Sequence, residues 1–159
     1  MTVDAALRPH NSEDLEALYQ LDQRCYPPGI AYSRREMKWY LHLPGADCLV
    51  SESDGGIAGF VITERENDLG HVITLDVAEA QRRRGIGTAL IAAAEARMFE
   101  AGVRQVSLET ATNNLAAIAF WKKHGYRTVG VLKSYYPENL DAYDMCKSLS
   151  AKARPGASK

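Results

Sequence analysis

Three consecutive arginines and two spaced glycines form the stretch of this sequence whose residue types most directly suggest chemistry. The stretch is Arg82–Gly87, and an alanine-rich run follows it. A loop that leads into a helix N-terminus presents unpaired backbone N–H groups and the positive end of the helix dipole, and glycines let a ligand approach closely. The stretch therefore predicts a cradle for phosphate, a basic patch for nucleic acid, or a charged turn without a ligand.

Two common phosphate-binding loops fit these residues poorly. A P-loop needs a lysine directly after its last glycine, whereas a Thr-Ala pair follows Gly87. A dinucleotide-binding G-x-G-x-x-G loop has a third glycine where this chain has Leu90, although Glu109 could mimic its ribose-binding acid. The pattern [QR]-x-x-G-x-[GA], the pyrophosphate loop of acetyl-coenzyme A enzymes, matches Arg82–Gly87 position by position.

Composition excludes several other classes of protein. The chain has 159 residues, of which 46% are hydrophobic, so we expect one domain over residues 1–150 and a disordered tail over 151–159. Nineteen basic residues almost balance twenty acidic ones, which gives no overall attraction to nucleic acid or to a membrane surface. Three scattered cysteines predict neither disulfides nor a metal site. The start of the chain has no signal-peptide pattern, so we expect a cytoplasmic protein.

Capping and turn signals divide the chain into short strands and four helices. The first helix begins at Asn11 or Ser12 and ends at "CYPPG", and the second begins at the Ser33 capping box and ends before Pro44-Gly45. The third runs from about Gly85 to Ala101, and the fourth from Asn113 or Asn114 to Gly125. Strand candidates are "AALRPH", two runs within 47–64, "HVITLDV", "RQVSLET", "YRTVGVLKSYY" and "AYDMCKSL". This order indicates an α/β or α+β fold, with a mixed sheet of six to seven strands and helices on both faces.

The segments "ITLDVAEAQRRRGIGTALI" and "LETATNNLAAIAFWKKHGY" resemble the GNAT superfamily of N-acetyltransferases. "KSYYP" followed by "DAYDM" is similar to the bacterial ribosomal-protein-alanine N-acetyltransferases. The resemblance covers residues 57–148, whereas the first fifty residues share only the order of one strand and two helices. It implies that the fourth and fifth strands splay apart and that acetyl-CoA lies in the gap between them.

The resemblance also implies which residues hold the cofactor. The backbone of Leu75, Asp76 and Val77 would bond the pantetheine arm, and Asn114 would contact the cofactor from the start of the fourth helix. The pyrophosphate would be wrapped mainly by backbone N–H groups, with arginine side chains as auxiliaries. The wrapping residues are Arg82, Arg83, Arg84, Gly85, Ile86, Gly87 and Thr88.

The catalytic residues that the resemblance implies are Glu109 and His71. Glu109 occupies the position of the general base, and related enzymes hold a catalytic water with side chains at both positions. Trp121 stands at a cofactor-lining position where the bacterial enzymes have a tyrosine that protonates the departing thiolate. An indole N–H is not a general acid. The stand-in candidates are Tyr126, Tyr135 and Tyr136.

The acceptor implied by the resemblance is a primary amine, most specifically the α-amine of a protein N-terminus. The walls of its site would be Tyr26, Pro27 and Tyr32 on one side and Tyr135 and Tyr136 on the other. Three alternatives stay open: acetylation of a small amine, polyamine or lysine side chain; an acyl-CoA-binding module without activity; and a nucleic-acid binder that uses the arginine run. The sequence is compatible with a monomer or a dimer.

Overall fold

Seven strands of the described chain form one mixed sheet. The computed structural model describes residues 6–53 and 55–151. The strands are β1 Ala6–Pro9, β2 Asp47–Ser53, β3 Gly56–Glu66, β4 Leu69–Val77, β5 Gln105–Ala111, β6 Arg127–Tyr136 and β7 Leu140–Ser148. Their order across the sheet is β1-β2-β3-β4-β5-β7-β6, and only β4 and β5 run parallel to each other. The predicted mixed sheet is confirmed.

Four α-helices connect these strands within the described residues. They are α1 Leu15–Cys25, α2 Arg34–Leu41, α3 Ile86–Glu100 and α4 Leu115–Lys123. The capping box predicted at Ser33 is present, with Ser33 Oγ accepting from the Glu36 N–H and Glu36 Oε1 accepting from the Ser33 N–H. Gly102 and Gly125 follow α3 and α4 with φ of +103° and +93°, as helix-terminating glycines do.

Helices cover both faces of the sheet, and each face has its own core. Helices α1 and α2 pack on β2 and β3 through Leu18, Met37 and Phe60, all fully buried. Helix α3 packs on the opposite face through Leu90 and Ile91. Two apolar layers therefore hold the centre of the sheet rigidly, and the strand ends that carry the site project from it.

Strand β4 begins two residues earlier than the sequence indicated, and Gly70 lies within it. A Cβ at Gly70 would lie 2.7 Å from Met98 Sδ and 3.0 Å from Val103 Cγ1. The glycine therefore permits close packing of α3 and its following turn on β4, instead of ending a loop.

The predicted splay lies between β4 and β5. Their pairing is limited to residues 69–71 of β4 and 105–107 of β5. Residues 72–77 of β4 do not pair with residues 108–111 of β5. Strand β5 remains paired with β7 along its whole length. A wedge-shaped gap consequently opens in the sheet directly after His71.

No helix in the described part of the chain is both long and apolar enough to cross a membrane. The expected disordered tail lies, apart from Ala151, outside the described residues, so the domain boundary at residue 150 stays a prediction.

Candidate active site

A cavity of about 540 Å³ occupies the splay. Its floor is formed by the diverging residues of β4 and β5, and its walls come from the loop after α1 and the adjoining ends of β6 and β7. The five residues predicted to enclose an acceptor all line it: Tyr26, Pro27, Tyr32, Tyr135 and Tyr136. The structure thus brings together two tyrosine-rich segments more than a hundred residues apart in the chain.

Glu109 lines the cavity, and His71 lies directly behind it. The Nε2 atom of His71 is 2.8 Å from Oε1 of Glu109, and the Nδ1 atom is 3.7 Å from Oε1 of Glu64. The side chains of His71, Glu109 and Glu64 are 33%, 20% and 34% exposed. The imidazole is therefore held between two carboxylates, one facing the cavity and one facing solvent on the neighbouring strand.

The two carboxylates determine the net shift in the pKa of His71. Burial alone would lower this pKa, because it disfavours the charged imidazolium. The hydrogen bond and charge of Glu109, with a further contribution from Glu64, outweigh burial and raise the pKa above 6.5. The cationic imidazole, which donates to Glu109, consequently persists to a higher pH than in a free histidine.

Glu64 is a site residue that no motif in the sequence predicts. It pairs with His71 in the antiparallel register of β3 and β4. The turn at Asn67, where φ is +58°, closes the hairpin between these strands. Counting outward from such a turn predicts this cross-strand pair, so the hairpin contained the missing signal.

Three alternate carbonyl groups of β4 point into the splay. The oxygens of Ile73, Leu75 and Val77 accept hydrogen bonds from Tyr32 Oη at 3.4 Å, Tyr26 Oη at 2.9 Å and Arg82 Nε at 3.0 Å. These groups belong to the free edge of β4, which has no β5 partner there. The splay edge expected to bond pantetheine is thus a polar strand edge that reaches both the tyrosine walls and the arginine loop.

The N-terminus of α3 has the geometry of an anion cradle. Its N-cap, Gly85, supplies no side-chain hydrogen bond, whereas side chains cap both α2 and α4. The first bond of α3 joins Ala89 N–H to Gly85 O, which leaves the preceding N–H groups free of helical partners. Arg83 and Gly85 both have positive φ, +67° and +85°, a turn that directs N–H groups inward as a nest does.

The three arginines of this loop differ in what they contact. Arg82 donates to Val77 O and approaches Cys25 Sγ at 3.6 Å, so its side chain is directed to β4. Arg84 contacts Gln81 Oε1 at 3.4 Å, and both Arg83 and Arg84 are exposed. This distribution agrees with backbone groups as the main elements of the cradle.

Residues 15–126 match the acetyltransferase (GNAT) family. The chain belongs to this family. It is 31% identical over 158 residues to the N-terminal acetyltransferase A complex catalytic subunit NAA10 of Arabidopsis thaliana, covering 92% of this chain and 79% of that one. Its fold is similar to the ribosomal-protein-S18-alanine N-acetyltransferase of Escherichia coli, with a TM-score of 0.83, 24% identity and coverage of 94% and 97%. It is also similar to NAA60 of A. thaliana in complex with acetyl-CoA, with a TM-score of 0.78, 24% identity and coverage of 91% and 98%.

As a GNAT acetyltransferase, the protein uses acetyl-CoA as its cosubstrate. The uncapped start of α3 can receive a pyrophosphate, because a Cβ is absent at Gly85 and no acidic side chain lies in the first turn. At Gly87 a Cβ would lie 3.2 Å from the Phe120 ring, so this glycine also permits α4 to pack on α3. The Ile86 side chain is buried in the core, and Ile86 contributes only its backbone to the cradle.

Two further cofactor candidates of the acetyltransferase are engaged within the protein. Asn114 caps α4 by accepting from Ala117 N–H at 3.1 Å, which leaves its amide N–H groups available as donors toward the cavity that it lines. Thr88 Oγ1 contacts His124 Nε2 at 3.1 Å, which joins the arginine loop to the end of α4.

Trp121 lines the cavity of the acetyltransferase as part of its core. It is 7% exposed and stacks edge-on against Phe120 and Tyr126. Tyr126 donates to Glu95 at 2.8 Å and is not among the residues that line the cavity. Of the three candidate stand-ins for the missing tyrosine, only Tyr135 and Tyr136 therefore reach the cavity.

Proposed function

We propose that this acetyltransferase acts in the cytoplasm and transfers acetyl from acetyl-CoA directly to the α-amine of a protein N-terminus. The observation that carries the proposal is the His71–Glu109 hydrogen bond at the closed end of a tyrosine-walled cavity. The names of relatives such as the NAA10 subunit, which covers most of this chain at 31% identity, add independent support.

The charge of the cavity supports a cationic acceptor. Its lining includes the carboxyl-bearing residues Glu36 and Glu109, and none of the described lining residues is lysine or arginine. An ammonium group entering the cavity meets carboxylates and tyrosine hydroxyls, whereas an acidic group meets like charge. The cavity therefore favours an amine substrate before any chemistry begins.

The proposed base removes one proton from the ammonium group. Glu109 accepts this proton, either directly or through a water molecule, and His71 stabilises the Glu109 carboxylate from behind. An α-amine with a pKa of about 8 is already about one-tenth neutral at pH 7, whereas a lysine amine with a pKa of about 10.4 is neutral in fewer than about one molecule in a thousand. A single carboxylate consequently suffices more easily for an N-terminus than for lysine.

Direct transfer is favoured because the cavity offers no activated nucleophile of its own among the described residues. Cys25 lines the cavity, but burial and the nearby Asp76 raise the pKa of its thiol to about 11, so the thiolate is scarce. Acetyl-CoA supplies a thioester, whose carbonyl carbon forms the new C–N bond as the C–S bond breaks. The proton that the nitrogen then loses to become an amide passes to the departing thiolate or to solvent. The chain holds the amine and removes its proton.

The leaving group needs little help from the protein. A thiol pKa of about 8.5 makes the thiolate of coenzyme A a competent leaving group near neutral pH. Trp121 at the position of the usual tyrosine is therefore compatible with activity, and the hydroxyl groups of Tyr135 and Tyr136 can donate to the departing sulfur.

The test is release of free thiol from acetyl-CoA in the presence of N-terminal peptides, small amines or polyamines. We expect thiol release with peptides, loss of this release in Glu109→Gln, and unchanged calorimetric affinity of that variant for coenzyme A. Response to polyamines or small amines alone would overturn the N-terminal acceptor. Cofactor binding without thiol release from any acceptor would instead identify an inactive acyl-CoA-binding module.

A further inference from the structure

Two carboxyl groups lie buried side by side beneath the cavity, outside the proposed catalytic pair. Asp22 belongs to α1 and Asp76 to β4, and their exposed fractions are 0% and 1%. Two ionised carboxylates in contact in the core would be strongly repulsive, and a buried carboxylate without a donor is costly. Each oxygen of the two carboxyl groups therefore needs a hydrogen-bond donor.

Two of the four carboxyl oxygens of this pair have a hydrogen-bond donor within the described chain. Asp22 Oδ2 accepts from the Tyr32 N–H at 2.8 Å, and Asp76 Oδ1 accepts from the Thr74 hydroxyl at 2.6 Å. The remaining oxygens, Asp22 Oδ1 and Asp76 Oδ2, are buried without a donor from any described group. The two carboxyl groups are themselves within hydrogen-bond reach of each other. One hydrogen between these two oxygens satisfies both of them.

The protonation of the pair agrees with this geometry. Burial, and then the Asp22 carboxylate, raise the pKa of Asp76 well above its ordinary value, although the Thr74 hydroxyl and the Arg82 cation oppose the shift. Burial also raises the pKa of Asp22. Other titratable groups near the pair include Cys25, Cys48, Tyr26 and Tyr32.

The Asp22–Asp76 pair connects the loop at the cavity wall to the free edge of β4. We define the acceptor loop as residues 26–32, six of which line the cavity. Asp22 holds both ends of this loop, because its carbonyl accepts from Tyr26 N–H at 3.1 Å and its carboxyl accepts from Tyr32 N–H. Asp76 lies on β4 between Leu75 and Val77, whose carbonyls form the splay edge.

We propose that Asp22 and Asp76 share one proton and together act as a positioning pair that fastens the acceptor loop to β4. Their role in acetyl transfer rests on the proposed function, whereas the shared proton does not. The pair holds Tyr26 and Tyr32 at the wall of the cavity, and neither carboxyl needs to touch the reacting atoms. Its loss is expected to weaken acceptor binding more than cofactor binding.

Asparagine substitutions test the shared proton, because an amide N–H can replace it as the donor between the two side chains. In Asp22→Asn or Asp76→Asn, the new amide donates an N–H to the remaining carboxylate while its oxygen keeps the outer bond to Tyr32 or Thr74. Each single variant should therefore keep an acceptor KM within about twofold of the wild type. In the double variant, two amides that keep their bonds to Tyr32 and Thr74 would point their N–H groups at each other. Turning one amide over to avoid this would lose its bond to Tyr32 or Thr74. We expect its acceptor KM to rise at least about tenfold, which is strongly non-additive.

An activity-independent measurement accompanies the kinetics. In the full-length protein at neutral pH, the infrared spectrum should contain the carbonyl band of a protonated carboxylic acid, and each single asparagine variant should lack it. Hydrogen exchange of residues 26–32 should be unchanged in Asp22→Asn and faster in Asp22→Ala. These two readouts remain informative even if no acceptor is acetylated, so a failure of the proposed function is distinguishable.

Four results would overturn the positioning pair. The first is the absence of the protonated-acid band in the wild type. The second is a double asparagine variant that is as active as the singles, which would mean that the hydrogen bond between the two side chains is not needed. The third is a folded Asp22→Ala variant whose acceptor KM and loop exchange both match the wild type. An equal loss of cofactor and acceptor affinity in every variant would indicate general destabilisation and would also contradict a positioning role.

Discussion

His71 Nε2 lies 2.8 Å from Glu109 Oε1, at the point where the sheet begins to open. His71 pairs with Ser107 in the last paired position of the parallel strands, and Glu109 is the next residue of β5 on the same side. The pair therefore bridges the two strands directly above their separation. This position gives Glu109 access to the cavity while its other contacts remain fixed.

Replacing Glu109 tests the assignment of the proton acceptor. Glu109→Gln retains size and hydrogen bonding but cannot accept a proton at neutral pH, so kcat/KM should fall by about 10²–10⁴. Affinity for coenzyme A should be unchanged. The control is Glu66→Gln, an exposed carboxylate on β3 that should have no effect on turnover. Retention of turnover by Glu109→Gln would exclude Glu109 as the base.

The raised pKa of His71 predicts a pH-dependent contribution to stability. Since the folded-state value exceeds 6.5, the contribution is fully present below pH 6.5 and is lost as pH rises through the folded-state value. The side chain is one-third exposed, so the effect should be below about 1 kcal/mol. Denaturant unfolding of wild type and His71→Gln across this range measures it. A His71 contribution that grows with pH would contradict the direction.

Glu64 should raise the pKa of His71 without acting as the catalytic base. Glu64→Gln removes one of the two flanking charges, so the pKa of His71, followed by NMR titration, should decrease. Glu66→Gln, two residues along the same strand, should leave the titration unchanged. An unaltered pKa in Glu64→Gln would show that Glu109 alone causes the shift.

The anion cradle is tested by comparing a substitution that alters its backbone with one that removes a nearby side-chain charge. Gly85→Val places a β-branched residue at a φ of +85° and adds bulk beside the free N–H groups, so the KM for acetyl-CoA should rise at least about tenfold. Arg84→Ala should raise it only a few-fold, because its exposed charge is screened by salt. Gly102→Val is the matched control, since φ is +103° there and the surrounding space is open. A larger effect from Arg84→Ala than from Gly85→Val would contradict a backbone cradle.

Phenylalanine substitutions at Tyr126 and Tyr135 should affect different properties, protein stability at Tyr126 and turnover at Tyr135. Tyr126→Phe leaves the partly buried Glu95 without one donor, so it should lower the free energy of unfolding by about 1–3 kcal/mol with little change in kcat. Burial, followed by the nearby Glu109, raises the pKa of Tyr135 to about 12, so its hydroxyl stays protonated. Tyr135→Phe should mainly reduce turnover. The reverse pattern would identify Tyr126 as the functional tyrosine.

The elements of this fold follow from local chemistry that a single sequence contains. The Ser33 capping box and the positive-φ glycines at 55, 102 and 125 each depend on neighbouring residues alone. Gly70 is the exception, because its place within β4 depends on side chains of α3 that pack against it. Long-range packing, not local preference, extends that strand.

The site was less accessible to sequence reasoning than the fold. The positions of Glu109 and His71 followed from a family resemblance, but their direct contact depends on the register of two parallel strands. The Asp22–Asp76 contact depends on how α1 packs on the sheet, and neither spacing nor periodicity in one sequence specifies it. Such contacts arise only when separate elements are assembled.

The most direct test of the central claim is the position of the acetyl group on a peptide that carries both a free α-amine and a lysine. Wild-type protein and Glu109→Gln are incubated with acetyl-CoA and this peptide, and fragment masses locate the product. We predict acetylation of the α-amine by the wild type and its loss in the variant. Acetylation confined to the lysine, or α-amine acetylation that Glu109→Gln preserves, would contradict the account.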